Sequence, residues 1–175
     1  MATFEAIAST TLASATATVT FSSIPGDYEH LQLRSFYRDT GGVGLGILRA
    51  TFNGDTGSNY TFHRLYADSS SSTVNVNGLI SQSNIQLLFG PSNNAGMNGA
   101  WGAVISDIVD YGSTNKYTTV RSFGGYDANG GTNAYACSFS GLWLSTSAIT
   151  SITLTPDNNN FDVGSVFALY GLRSS

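Results

Sequence analysis

The chain is predicted to be all-β, an antiparallel two-sheet sandwich of jelly-roll type with about ten strands. Three observations carry that expectation. Helical periodicity is nearly absent, short alternating or apolar runs recur at even intervals, and the breaks between them are rich in Gly, Asn, Asp and Ser. A length of 175 residues suits one domain spanning residues 1–175, enough chain to bury roughly 70% of its unfolded surface without a metal or disulfide.

The elements follow in order. The opening MATFEAIASTT is small and polar, with Phe4 and Ile7 its only bulky apolar residues before Leu12; residues 1–14 fit either an extended arm or a first strand. TATVTF (16–21) puts Ala17, Val19 and Phe21 on one face, and SSIPGD then turns the chain with a proline that cannot donate to a ladder. In HLQLRSFYR (30–38), Leu31, Leu33 and Tyr37 share one side, and Gln32, Arg34, Phe36 and Arg38 the other, a solvated face. ILRATF (47–52) is entered through GGVGLG and left through FNGDTGSNY. TFHRLYADSSSST (61–73) is expected to hold a short turn of helix before a serine-rich loop, after which TVNVNGLI and NIQLLFG are strands. WGAVISDIV (101–109) is apolar at both parities over much of its length, the pattern of a central strand covered on both faces. YTTVRSF, AYACSFSGLWL, SITLTP and SVFALYGL complete the set, and the last is apolar enough to belong inside a sheet.

Composition narrows the function. Charged residues are 10% of the chain against about a quarter in ordinary soluble domains, while the hydrophobic fraction is 41%. Lys116 is the only lysine. A surface of hydroxyls and amides is frequent in secreted and particle-forming β-proteins. A net charge of −4 with seven scattered basic residues argues against nucleic-acid binding, which needs clustered cations. No run is long enough to cross a bilayer, and the opening lacks a signal peptide's basic and apolar regions. Synthesis in a cytoplasm and departure by a route other than secretion are therefore expected, with no membrane partner.

No catalytic, cofactor or metal residue is assigned. His30 and His63 are the only bases of their kind, and no GxSxG elbow marks a nucleophile for either. STNK (113–116) matches SxxK only formally, since it sits between strand-like runs. Asp107 and Asp110 differ in strand parity and Asp127 stands apart, so they do not make a carboxylate pair. FNGDTGSNY, with Asn53, Asp55 and Asn59 at alternate positions, and DNNNFD (157–162) have oxygen donors, yet their composition is that of turns. GGVGLG leads into a strand rather than the helix a phosphate loop requires. Cys137 is alone and alternates with Tyr135 and Phe139, as a small buried hydrophobe does.

Taken together, FEAIASTTL, FSSIPGDYEHLQLR, FNGDTGSNYTFHRL, YGSTNKYTTVRSFGGYD, SGLWLSTSAITSITL and NFDVGSVFALYGL resemble, in that order, a family of small virion structural proteins of tailed bacteriophages, especially phages of cyanobacteria and marine bacteria. The resemblance covers nearly the whole chain and is most specific in its ending, a Gly-Ser step followed by an apolar strand closing on Leu-Tyr-Gly-Leu. It implies a β-sandwich on the particle surface, synthesised in the host cytoplasm: a capsid decoration (cement) protein bound to the major capsid protein as a homotrimer, or a head or tail fibre module recognising a host glycan. For an attaching arm, Phe4, Glu5 and Ile7 are the candidate partner-binding residues. Tyr60, Tyr111 and Tyr126 lie in loops and are candidate sugar platforms, whereas Trp101 and Trp143 lie in runs that look buried.

Overall fold

A computed structural model of the chain describes residues 3–42, 45–70, 73–93, 95–97, 99–128 and 133–173. Twelve strands are present among them: β1 (Thr3–Thr11), β2 (Val19–Phe21), β3 (His30–Tyr37), β4 (Leu45–Phe52), β5 (Tyr60–Asp68), β6 (Val74–Gln82), β7 (Ile85–Pro91), β8 (Gly102–Val109), β9 (Thr118–Asp127), β10 (Ala134–Trp143), β11 (Ile152–Pro156) and β12 (Val166–Arg173). The described residues contain no α-helix, only a 3-10 turn at Ala95–Met97.

The strands form two antiparallel sheets. The larger runs β1-β12-β3-β8-β9-β10-β5-β6, and the smaller runs β2-β11-β4-β7. One apolar core lies between them. Leu31, Leu33 and Tyr37 of β3, Val104 and Ile108 of β8, Phe139 and Trp143 of β10 and Phe167 and Leu169 of β12 face Leu48, Ala50 and Phe52 of β4, Leu88 and Phe89 of β7, and Ile152 and Leu154 of β11. Strict alternation along β4 and β12 turns every second side chain inward, as the pleat requires. Phe161 and Phe167 pack at 4.7 Å between ring centroids with Tyr37 beside both, closing one end of the core.

Two strands exceed the expected ten. Residues 3–11 pair antiparallel with β12, Phe4 opposite Leu172 and, past a one-residue register shift at Ala6–Ala8, Thr11 opposite Val166, so the described part of the opening is the edge strand of the large sheet. The expected helical turn in TFHRLYAD is instead β5, paired along its length with β10. An inward arginine hid its period. Arg64 turns into the sandwich with Phe62, lays its guanidinium over the Phe62 and Phe89 rings at 5.6 and 5.1 Å, and donates to Gln86 Oε1 at 2.9 Å. The apolar C-terminal strand lies inside the sheet, between β1 and β3. The double cover expected for residues 101–109 is corrected: β8 buries Val104, Ser106 and Ile108, while Ala103 and Ile105 on its other face are exposed.

Candidate contact face

Residues 52–60 form a self-contained turn. Asn53 and Gly54 both take positive φ, 52° and 71°, a conformation open to Asn and Gly at small cost. The Asp55 carboxylate accepts from Trp143 Nε1 at 2.7 Å, Gly57 N at 2.9 Å and Asn59 Nδ2 at 3.0 Å. Those donors, the Trp143 indole foremost, hold its acid below the usual carboxylate range. Residues 157–162 likewise pin the sheets: Asp157 accepts from Ile47 N at 2.6 Å, and Asp162 accepts from Arg38 Nε at 2.7 Å and Asn93 Nδ2 at 2.8 Å. Val43 and Gly44 of the GGVGLG stretch lie outside the described residues.

Of the other chemical candidates, His30, Asp110, Ser113 and Lys116 meet at one end of the sandwich, where His30 Nδ1 lies 3.5 Å from Asp110 Oδ1, and the rest stay apart. His30 Nδ1 accepts from the backbone N–H of Asp110 at 3.0 Å. His63 is exposed on β5 beside Gly78. Asp107 accepts from Gln32 Nε2 at 2.8 Å, Asp110 pairs with Lys116 in a turn, and Asp127 ends β9. Ser113 belongs to that turn, its N–H donating to the Asp110 carbonyl at 2.9 Å. Cys137 is buried on the inner face of β10, and burial pushes its thiol up to about 11, far from thiolate chemistry at neutral pH. Among the described residues no group of three His, Cys, Asp or Glu is placed to hold a metal ion.

Tyr60, Tyr111 and Tyr126 are all buried, which corrects their expected role as exposed sugar platforms. For two of them the phenol completes a backbone bond: Tyr60 Oη accepts from Phe52 N at 3.0 Å and donates to the Asp55 carbonyl at 2.9 Å, and Tyr111 Oη donates to the Pro25 carbonyl. Trp143 is buried as expected. Trp101 is half-buried, stacked on Phe36 at 5.3 Å with Arg38 4.5 Å above its ring.

What the fold leaves open is the outer face of the large sheet. Strand register sets Arg34 beside Ile105 and Ala168, Ile105 beside Phe123, and Phe36 beside Ala103 and Val166. Phe36 and Ile105 are each 47% exposed and Phe123 is 70% exposed. Together with Ala103, Ala168 and Tyr170 they line a shallow groove of about 500 Å³. A second groove of about 530 Å³ lies on the same face where Ser138, Ser140 and Gly78 leave space between Leu65, Val76 and His63. The three bulkiest exposed side chains of the first groove present on the order of 300 Å² of apolar surface, taking an aromatic side chain at roughly 200 Å², and the flanking strands extend the patch toward the size that marks an interaction site. Arginines rim it. Arg34 lies over the Tyr170 and Phe4 rings at 4.9 and 5.5 Å and donates to Gln32 Oε1 at 2.8 Å, and Arg121 is exposed on β9. Neither pairs with a carboxylate among the described residues.

The sequence candidates Phe4, Glu5 and Ile7 occupy the edge strand β1. Phe4 is exposed on the outer face beneath Arg34, Glu5 accepts from Arg173 Nε at 3.1 Å, and Ile7 packs half-buried at the core margin, where the β1 register shifts. Phe4 therefore adjoins the open face. Phe36, Ile105 and Phe123 were missed as candidates. Their signal was apolarity at the parity opposite the core: the sequence reading took Ile105 for buried on a doubly covered strand and Phe36 for part of a solvated face, and it did not single out Phe123.

No protein-family model and no curated protein sequence matches the chain. Among solved structures, similarity extends to the crystal structure of a "Putative pore-forming toxin from Bacteroides vulgatus ATCC 8482", with 9% identity and a TM-score of 0.10 over 90% of this chain and 55% of that one. The chain thus spans about half the length of that protein, and a score this low carries no argument about fold or function.

Proposed function

We propose that this chain is a non-enzymatic virion structural protein, a capsid decoration protein that lays the outer face of its large sheet against the head of a tailed phage and reinforces it. The observation that carries the reading is the exposed apolar face around Phe36, Ile105 and Phe123. A folded domain gains nothing from leaving such a surface in water, and a contiguous exposed apolar face is the mark of a surface that meets a partner. The unpaired Arg34 and Arg121 at its rim suit an acidic border on that counterpart, and they disfavour apposing two copies of this face. The sequence resemblance to phage virion proteins supports the same partner.

We further propose the jelly-roll form of sandwich. Its support is the nesting of pairs: β1 with β12, β2 with β11, β3 with β8 and β4 with β7, as in a long hairpin wound on itself. On this reading β5–β6 and β9–β10 are two hairpins added to one sheet, and they widen the contact face.

The test is cosedimentation of the purified protein with particles of its phage, followed by heat-driven DNA release. The wild type is expected to bind in hundreds of copies and delay release. Phe123→Ser removes about 140 Å² of exposed apolar contact, a ceiling of about 3.5 kcal/mol at 25 cal/mol/Å². Half of that realised lowers affinity by about 20-fold. Equal binding by the Phe123→Ser protein, or identical DNA release with and without protein, overturns the proposal.

A further inference from the structure

The described residues leave four sheet edges, and three are protected. β2 is only three residues long, β7 is largely buried and ends in Pro91, and β1 carries a register shift together with the Glu5–Arg173 ion pair. Short, covered, bulged or charged edges are how soluble proteins keep strands from pairing with other chains. β6 differs. It is nine residues long, and among the described residues it pairs with β5 alone. It exposes Val74, Val76 and Ile80 at 61%, 73% and 72%. No charged residue occurs between Asp68 and Asp107, so neither β6 nor its flanks carry the lysines or acids that would repel a neighbouring strand. Its single irregularity lies near its end, where Ile80 and Ser81 interrupt the register with β5.

We infer that β6 is the interface between two copies of this chain, paired antiparallel about a twofold axis near Gly78 so that the two large sheets continue into one. The occupant is a second copy because the edge is electrically neutral and self-compatible. An acidic or basic partner finds no counter-charge on it, whereas a strand can always pair antiparallel with its own twofold mate. That axis sets Val76 beside Ile80 of the partner subunit. Pairing over about 30 Å of strand, with the apolar side chains of both hairpins brought together, buries on the order of 1,000 Å² in total, at the lower limit of a specific interface. The inference stands apart from the capsid reading and concerns the isolated protein. It also replaces the threefold association that the resemblance implies with a twofold one.

Light scattering coupled to size exclusion, at the highest soluble concentration, measures the mass. The expected value is twice the 18.4 kDa chain, falling to a single chain in Val76→Lys and, independently, in Val74→Lys, both at exposed sites where the fold is kept and checked by circular dichroism. The alternate backbone amides of residues 74–82 that point away from β5 are expected to exchange slowly in the wild type and at least tenfold faster in either variant. A wild type that stays monomeric or reaches three chain masses, or a folded lysine variant that keeps the doubled mass, overturns the inference. Particle binding is not part of the readout, so the two proposals fail separately.

Discussion

Asp39 offers a quantitative test of how the core is built. Its side chain is wholly buried just past β3; Oδ1 accepts from Gly41 N at 2.8 Å, while Oδ2 has no hydrogen-bond partner. Beneath it the facing glycines Gly46 and Gly90 of β4 and β7 leave the space that Asp39 Oδ2 and Tyr37 Oη fill; a Cβ on either would collide with those atoms. Tyr37 Oη is also unpartnered, and Ser92 Oγ lies near enough to the carboxylate to favour its charge without making a hydrogen bond of ordinary geometry. Desolvation, aided by the nearby Asp157 charge, raises the Asp39 pKa, with the Ser92 hydroxyl and the Gly41 N–H pulling the other way. Asp39→Asn keeps the shape and the Oδ1 acceptor, removes the charge and places an N–H group where Oδ2 stood. An unsatisfied buried acceptor costs about 1–3 kcal/mol, so the variant is expected to be more stable than wild type by about that much near neutral pH. The sign of the pH dependence follows from the raised pKa. A carboxyl that holds its proton more tightly when folded stabilises the native state below its unfolded pKa of about 3.9 and loses that contribution as pH rises through its folded value. The stability gap between Asp39→Asn and wild type should therefore open from acid toward neutral pH and then level off. Urea unfolding of both proteins across that range measures it. A variant less stable than wild type near pH 7, or a gap that widens toward acid, refutes the account.

Two further outcomes test the sheets. Gly124 on β9 has no room for a methyl group: a Cβ there would run into the Ala103 carbonyl and come within 2.9 Å of Val104 Cα and 3.0 Å of Leu88 Cδ1. Backbone cannot yield as a side-chain tip does, so Gly124→Ala is expected to cost about 3 kcal/mol, the upper part of the overpacking range; an unchanged urea midpoint would contradict it. Deleting residues 165–175 removes Phe167 and Leu169 from the core and strips β3 and β1 of their common neighbour. Insoluble protein is expected on expression, and a soluble fragment with a cooperative melt would show that β12 is dispensable.

The same alternation that made the sandwich legible concealed its open face. Leu31, Leu33 and Tyr37 announce β3 because their partners at the other parity are mostly polar. In WGAVISDIV and SVFALYGL both parities are apolar, and periodicity alone does not say whether the second apolar face meets protein or water. Here the outer half of each is open or half-open: Ala103 and Ile105 are exposed, and Val166, Ala168 and Tyr170 are half-buried. β5 escaped notice for the opposite reason, a charged residue pointing inward over aromatic rings. The three tyrosines were misjudged because turn composition suggests exposure, while the hydroxyls of Tyr60 and Tyr111 reach backbone groups that nothing in the local sequence identifies. Turn chemistry itself was readable. The positive φ of Asn53 and Gly54 and the carboxylate-centred bonds of Asp55 follow from residue types alone.

The pairing of Thr3 with Arg173 brings the first and last described strands to a common corner of the large sheet. Seven strand spacings, about 34 Å, separate that side from β6. A peptide or protein grafted before residue 3 or after residue 173 would leave the molecule at one pole, clear of the opposite rim. Joining the two positions by a short linker, and reopening the chain in a surface turn such as residues 53–59, would give a rearranged polypeptide in which every native strand keeps its neighbours.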